Sequence, residues 1–228
     1  MKLTLRSPFL WISATALSGM LYFFAFHFFP QAFPIIHISI TMDLEQALDK
    51  ADALAQQHLF GPNKYDYAAT FHTDVTVKTF VELEAGGKDA LVAMMDNKLY
   101  MPYTWRVRHF KEHEKNETTI IFTPDGKPYG FVETISENMP GAQLSSLEAC
   151  ALAEKNAAAD WNINFSDYTL VEASQKMEPS ERIDHTFVYE RPEHIGDGLY
   201  RLKIVVSGNK MTELTHKKIC CPCDSGIG

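Results

Sequence analysis

Cysteine is nearly absent from the body of this sequence. Of four in 228 residues, three (Cys220, Cys221 and Cys223) fall in the last nine, and only Cys150 precedes them. One isolated thiol excludes a disulfide framework. Positive charge is short as well: 21 Lys and Arg against 29 Asp and Glu leave a net charge of −8. A surface of that sign repels phosphate backbones, which excludes nucleic acid as an expected partner. No Gly-x-Ser-x-Gly elbow, phosphate-binding glycine loop or His-Glu-x-x-His pair occurs in the chain, so the usual nucleophile, nucleotide and zinc signatures are missing. Disorder is excluded too, because 46% of the residues are hydrophobic and 22% charged.

What the sequence does have is one long uncharged run. Pro8 to Phe29 spans 22 residues without Asp, Glu, Lys or Arg. As a helix it covers roughly the 30 Å hydrocarbon core of a bilayer. Trp11 and Tyr22 suit the interface, and His27 lies at the far end, within reach of it. Pro30 and Pro34 are expected to stop the helix. Lys2 and Arg6 precede the run, and no basic residue follows until Lys50. The positive-inside rule then places the N-terminus in the cytoplasm and the rest outside it. A cleaved signal peptide is the rival reading, and it needs a small-x-small site just past a short apolar core. Here the run ends in Phe26, Phe28, Phe29 and Pro30, and its only Ala-x-Ala, at Ala14 and Ala16, lies inside it. The expectation is an uncleaved single-pass anchor in the inner (cytoplasmic) membrane. It meets the lipid bilayer through Pro8 to Phe29 and holds an extracytoplasmic body of 19 basic and 29 acidic groups, net −10.

That body reads as two related halves. Leu44, Ala47, Leu48, Ala51, Leu54 and Ala55 fall at helical spacing after a capping Thr41, and Gly61-Pro62 closes the helix. The second half opens on Ser145 and Glu148, a capping-box spacing, with Leu147, Ala151, Ala153, Ala157 and Ala158 leading to Trp161. Leu44-Glu45 and Leu147-Glu148 stand 103 positions apart. Strand signals follow each helix. In the first half they are Tyr67 to Phe71, Val75 to Glu84, Thr104 to Phe110, Glu117 to Thr123 and Tyr129 to Thr134. In the second they are Tyr168 to Ser174, His185 to Glu190, Leu199 to Ser207 and Met211 to Thr215. Pro124-Asp125-Gly126-Lys127 and Ser207-Gly208-Asn209-Lys210 read as hairpin turns. The first half carries an extra segment, Gly86 to Met101, with a short helix at Asp89 to Met94. The expected fold class is α+β: a start and transmembrane anchor over 1–30, one helix-plus-antiparallel-sheet unit over 31–140, a second over 141–216, and a disordered or spurious tail over 217–228.

Each helix-plus-sheet unit resembles the PepSY type of extracytoplasmic module. Four strings carry a closer resemblance: Phe80-Val81-Glu82-Leu83-Glu84-Ala85-Gly86-Gly87-Lys88, Tyr103-Thr104-Trp105-Arg106-Val107-Arg108-His109-Phe110, Asp184-His185-Thr186-Phe187-Val188-Tyr189-Glu190-Arg191, and Arg201-Leu202-Lys203-Ile204-Val205-Val206-Ser207-Gly208. They resemble the N-terminal exported region of a bacterial subgroup of CPBP (CAAX protease-like) intramembrane proteases. The resemblance runs from the anchor to about His216. It implies a non-catalytic module that regulates, or presents substrate to, an intramembrane metalloprotease. The partners it implies are a membrane protease domain or a peptide substrate. It also implies that catalysis belongs to later membrane helices bearing Glu-Glu-x-x-x-Arg and histidine motifs. No Glu-Glu pair exists in this sequence, and the Phe23-x-x-x-His27 spacing alone, on one helix, builds no sealed site for activating water. Enzymatic activity and a cofactor are therefore not expected. The abrupt change of composition after Thr215-His216 is read, as an expectation, as a frameshift or truncation of a longer reading frame. The alternative is a stand-alone anchored binding or protease-inhibitor-like protein that adds a peptide strand to a sheet edge.

No residue stands out as catalytic, metal-binding or cofactor-binding. The tail cysteines form one cluster rather than the two pairs of a zinc site. His109 and His113 share a four-residue spacing but read as a solvated hairpin tip, and His185 and His194 have no second ligand near them in sequence. Trp105, Phe110, Phe187 and Tyr189 read as core packing with a groove as the sharper alternative. Trp105, Arg106, Arg108, Glu190 and Arg191 are the candidate partner surface.

Overall fold

A computed structural model describes residues 8–32, 38–62 and 64–220. The chain forms two units, one ending at Ser39 and one beginning at Ile40. The tail residues Cys221 and Cys223 lie outside the described residues.

The first unit is α1 (Pro8–Ala32), with its large apolar side chains exposed from Phe9 to Phe28. Ser13 Oγ donates to Leu10 O at 3.0 Å and Thr15 Oγ1 to Trp11 O at 2.9 Å, so both hydroxyls are satisfied within the helix. The helix is long and apolar enough to cross a membrane, a property that anchors and signal sequences share. It runs to Ala32, two residues past the proline expected to end it. Proline withholds one amide donor, and the rest of a long helix holds without it.

The second unit is a single eight-stranded antiparallel sheet. Its elements are α2 (Leu44–His58), β1 (Asp66–Thr73), α3 (Val75–Glu84), α4 (Gly87–Asp96), β2 (Tyr103–Phe110), β3 (Glu117–Phe122), β4 (Pro128–Thr134), α5 (Ser146–Trp161), β5 (Thr169–Met177), β6 (Ile183–Ile195), β7 (Gly198–Ser207) and β8 (Lys210–Cys220). The order is β1-β2-β3-β4-β8-β7-β6-β5, so each half is a four-stranded meander and the two final strands meet in the middle. There Phe131 pairs with Leu214 and Val132 with Glu213. The two expected units are therefore fused through one continuous sheet.

Both helices lie on one face of this sheet for the same reason. Asp43, two residues past the expected Thr41, caps α2 by accepting from Gln46 N at 2.8 Å, because the helix begins at Leu44. Ser145, 102 positions on, caps α5 in a reciprocal box with Glu148. Ala47, Ala51 and Ala55 recur as Ala149, Ala153 and Ala157, all buried. Small residues four apart form a flat stripe that lets a helix backbone approach the strands closely. Each helix ends in a left-handed residue, Leu59 and Asn162, which accounts for the stop before Gly61-Pro62. The aromatic residue beside each end turns inward: Phe60 and Trp161 stack on Phe131 at 4.4 and 5.0 Å between centroids. Lys210 adds a polar tie across the halves, donating to Leu59 O and to Glu133, which also accepts from Gly61 N at 3.0 Å.

Three sequence expectations need correction. Val75 to Glu84 is not a strand but α3. Asp74 caps it, and Val77 and Val81, four apart, are buried while Val75 and Leu83 are 64% and 77% exposed. Two apolar pairs at two-residue spacing fit a strand, but the four-residue step between them fits a helix better. The short helix beyond it extends to Gly87–Asp96, and Gly86 and Gly87, both at positive φ, make the sharp turn between the two. Residues 217–220 belong to β8 rather than to the tail, with Arg201 opposite Lys217 and Leu199 opposite Cys220.

A polar cavity on the open face of the sheet

Strand alternation sorts side chains between the two faces. Trp105 and Val107 of β2, Ile120 of β3, Phe131 of β4 and Leu214 of β8 pack into the core under the helices. Thr104, Arg106, Thr119, Ile121, Val132 and Thr215 alternate with them and take the opposite, open face. On that face, over the first half and its seam with β8, lies a cavity of about 360 Å³ floored by these six residues. His72 and Asp74, Tyr100 to Pro102, and Tyr129, Gly130 and His216 complete its lining.

The walls are built, not accidental. Asp74 donates its amide to Pro102 O at 2.7 Å and accepts from Val77 N at 3.1 Å and from the Tyr100 hydroxyl at 2.9 Å. Tyr129 accepts from Met101 N at 3.0 Å, and its ring stacks on His216 at 4.1 Å. These bonds fasten the ends of the α3–α4 hairpin to the sheet and hold the cavity mouth in shape.

The floor is left unfinished. Arg106 Nε and Thr104 Oγ1 are both buried and without a hydrogen-bond partner, and no carboxylate among the described residues pairs with Arg106. Its cross-strand neighbours are Thr70 and Ile121, neither of which carries charge. Burial holds the His72 imidazole below its ordinary pKa, and the Arg106 charge adds to this against the opposing pull of Asp74. Burial likewise drops His216 to about 4, with Arg191 reinforcing it and a backbone hydrogen bond opposing it. Burial pushes the Tyr100 and Tyr129 hydroxyls above the ordinary phenol range. Near neutral pH the cavity thus presents neutral imidazoles, neutral phenols, the Asp74 carboxyl group in its wall and one permanent cation in its floor.

This is an arrangement for holding a polar ligand. Among the described residues no Ser, Thr or Cys side chain is hydrogen-bonded to a histidine, and no group of three or more His, Cys, Asp and Glu is placed to hold a metal.

The five residues of the expected partner surface are dispersed. Trp105 packs against the helix-side core and donates its indole N–H to Met42 O at 3.1 Å. Arg106 lines the cavity. Arg108 is exposed, pairs with Glu117 and lies over the Phe110 ring. Glu190 accepts from Arg201 at 2.8 Å. Arg191 pairs with Glu193 at 3.1 Å and lies over Tyr168. Four strands separate β2 from β6, so Arg106 and Arg108 share no strand pair with Glu190 and Arg191.

The histidines also differ from expectation. His109 is wholly buried, stacked beneath Tyr65 at 4.0 Å and 3.3 Å from Asp52, while only His113 sits in the exposed turn. Alternation carries His109 inward with Val107, and this outweighs its nearness to the charged tip. His185 is buried with Nε2 2.9 Å from Leu144 O, and His194 is exposed. Phe187 and Tyr189 are core residues. Sequence reasoning missed Thr104, His72, Asp74 and His216 as neighbours. Thr104-x-Arg106 shows a shared face, but no local signal links it to residues at the ends of β1 and β8.

No family model matches this chain, and no curated protein matches it. Among solved structures it has a neighbour in the Bacillus megaterium YpeB C-terminal domain, at 13% identity and a TM-score of 0.44, covering 78% of this chain and 64% of that one. The chain thus spans somewhat less than two thirds of the neighbour's length, and an intramembrane protease is not among these matches.

Proposed function

We propose that the chain is a membrane-tethered, non-catalytic extracytoplasmic binding module of PepSY type, acting beside an intramembrane protease of the CPBP family to regulate it or present its substrate. The observation that carries the binding role is the built cavity with an unpartnered Arg106 in its floor. The anchor rests on α1 and on the two basic residues before it. The protease partner rests on the four strings in which the sequence resembles such enzymes. The role divides naturally: the sheet body binds, and the chemistry is left to the membrane partner.

An alkaline phosphatase fusion after residue 220 tests the topology. High activity supports export, and activity no higher than that of a cytoplasmic control contradicts it. Photo-crosslinking from the exposed Arg108 position in native membranes tests the partner: a polytopic membrane protease supports the reading, and its consistent absence removes that part. A second reading, a stand-alone binder that extends its sheet with a peptide strand, is favoured by one observation. The edge strand β5 is exposed along its whole length. Crosslinks from β5 to soluble peptide rather than to a membrane protein would select it.

A further inference from the structure

The cation at the cavity floor is unusual within its own sheet. On the open face of the second half, Arg201 is paired with Glu190 at 2.8 Å and Lys203 with Glu213 at 2.6 Å. On the first half, Arg108 is paired with Glu117. Arg106 alone among these open-face cations has no carboxylate and keeps a buried Nε–H without an acceptor. A buried donor with no acceptor costs free energy unless something supplies one.

We infer that the open-face cavity is a binding site for a monocarboxylate with an apolar or aromatic body, its carboxylate held by Arg106 and Thr104. The guanidinium edge offers parallel N–H donors that match a carboxylate, and the Thr104 hydroxyl stands one step along the same face of β2. Met101, Pro102, Ile121 and Val132 supply apolar wall, and the stacked Tyr129 and His216 rings supply an aromatic one. A volume of about 360 Å³ lies at the small end of ligand sites, suited to a compact acid or to the last residue of a peptide. A phosphate would need more than this. Its sites gather several donors or cations, whereas here there is one guanidinium, a wall containing Asp74 and a body of net charge −10. A single negative charge is the most this site neutralises.

The inference rests on the binding role proposed above and is independent of the protease partner. The test uses the full chain in lipid nanodiscs and isothermal titration with four probes: 3-phenylpropionate, its amide, N-acetyl-Ala-Phe with a free carboxylate, and the corresponding C-terminal amide. Either acid is expected to bind at least roughly tenfold more tightly than its amide, as a charge-assisted pair requires. The free acid alone identifies a small metabolite as the source, and the peptide acid alone identifies a chain terminus. Arg106→Gln should abolish the acid–amide difference, and Arg106→Lys, which keeps the charge but not the fork, should keep part of it. The Arg106→Gln protein should also melt no lower than wild type, because the unpartnered cation stabilises nothing in the ligand-free fold. Equal binding of acids and amides, no binding of either acid, or a substantially lower melting temperature for Arg106→Gln would overturn the assignment. Lipid partitioning of the probes is common to both proteins and cancels in their comparison.

Discussion

The two halves of the sheet share a plan and use it differently. In each, a capped helix with three buried alanines lies on a four-stranded meander, and the final strands join. In the second half the open face is closed by ion pairs between neighbouring strands, Arg201 with Glu190 and Lys203 with Glu213. In the first half that face carries the α3–α4 hairpin at its margin and a cavity whose one cation, Arg106, makes no ion pair and keeps an Nε–H without an acceptor. The shared parts are those that bury apolar surface. The differing parts are those that leave polar groups open to a ligand. A duplicated scaffold can carry a site in one copy because the other copy and the joint between them supply stability.

The joint gives the largest predicted effect. Phe131→Ala removes the ring held between Phe60 and Trp161 and should cost about 3–5 kcal/mol. Chemical denaturation should still show one transition, with strand signals from both halves lost together. Two separated transitions would break the comparison by making the halves independent.

Acid is the next largest. His216 has a folded-state pKa of about 4, lowered from the ordinary histidine value, so the unfolded chain binds its proton first. Stability is full above about pH 6.5 and falls as the pH drops towards 4, by up to ~3 kcal/mol. His72 and His109 are lowered too and act in the same direction. His216→Phe should visibly flatten the melting temperature between pH 6.5 and 4. An unchanged slope would remove His216 from the account.

The ion pairs sharpen the contrast directly. Lys203→Met leaves Glu213 half-buried without its cation and should cost ~1–2 kcal/mol, whereas Arg106→Gln should cost nothing. Equal losses in the two variants would mean that both cations are structural. The smallest effect is expected at a cap. Ser145→Ala should cost about 1 kcal/mol, matched by Asp43→Ala on the equivalent helix, as read from urea melts.

Much of this plan was legible in the sequence. The apolar run, the Ser145–Glu148 box, the alanine stripe of α2 and the two strand-rich halves are local patterns, and local patterns report periodicity and caps; the stripe of α5 was read only in part, since Ala149 is buried with Ala153 and Ala157 while Leu147, Ala151 and Ala158 are exposed. Two features were not. Val75-x-Val77 and Val81-x-Leu83 each read locally as strand alternation, while the four-residue step from Val77 to Val81 and the capping carboxylate of Asp74 belong to the helix. The fusion of the halves depends on β4 finding β8, about eighty residues later in the chain, and alternation tells a strand which face is buried but not which strand lies beside it. The cavity fell between these cases. Arg106 was singled out from its sequence, but as part of a surface with Arg108, Glu190 and Arg191. That it lacks a carboxylate follows from Thr70 and Ile121 standing opposite it, which only the register reveals.

The proposed ligand site lies on one cooperative sheet, over the first half and its seam with β8. Hydrogen–deuterium exchange of the full chain in nanodiscs, with and without saturating carboxylate, tests it most directly. Without ligand, the amides of β4 and β8 should show the same high protection. With ligand, protection should rise at residues 72–77, 100–106, 129–132 and 213–216 and stay unchanged along β5 and β6. Unequal protection of β4 and β8, or a ligand response centred on β5, would contradict the account.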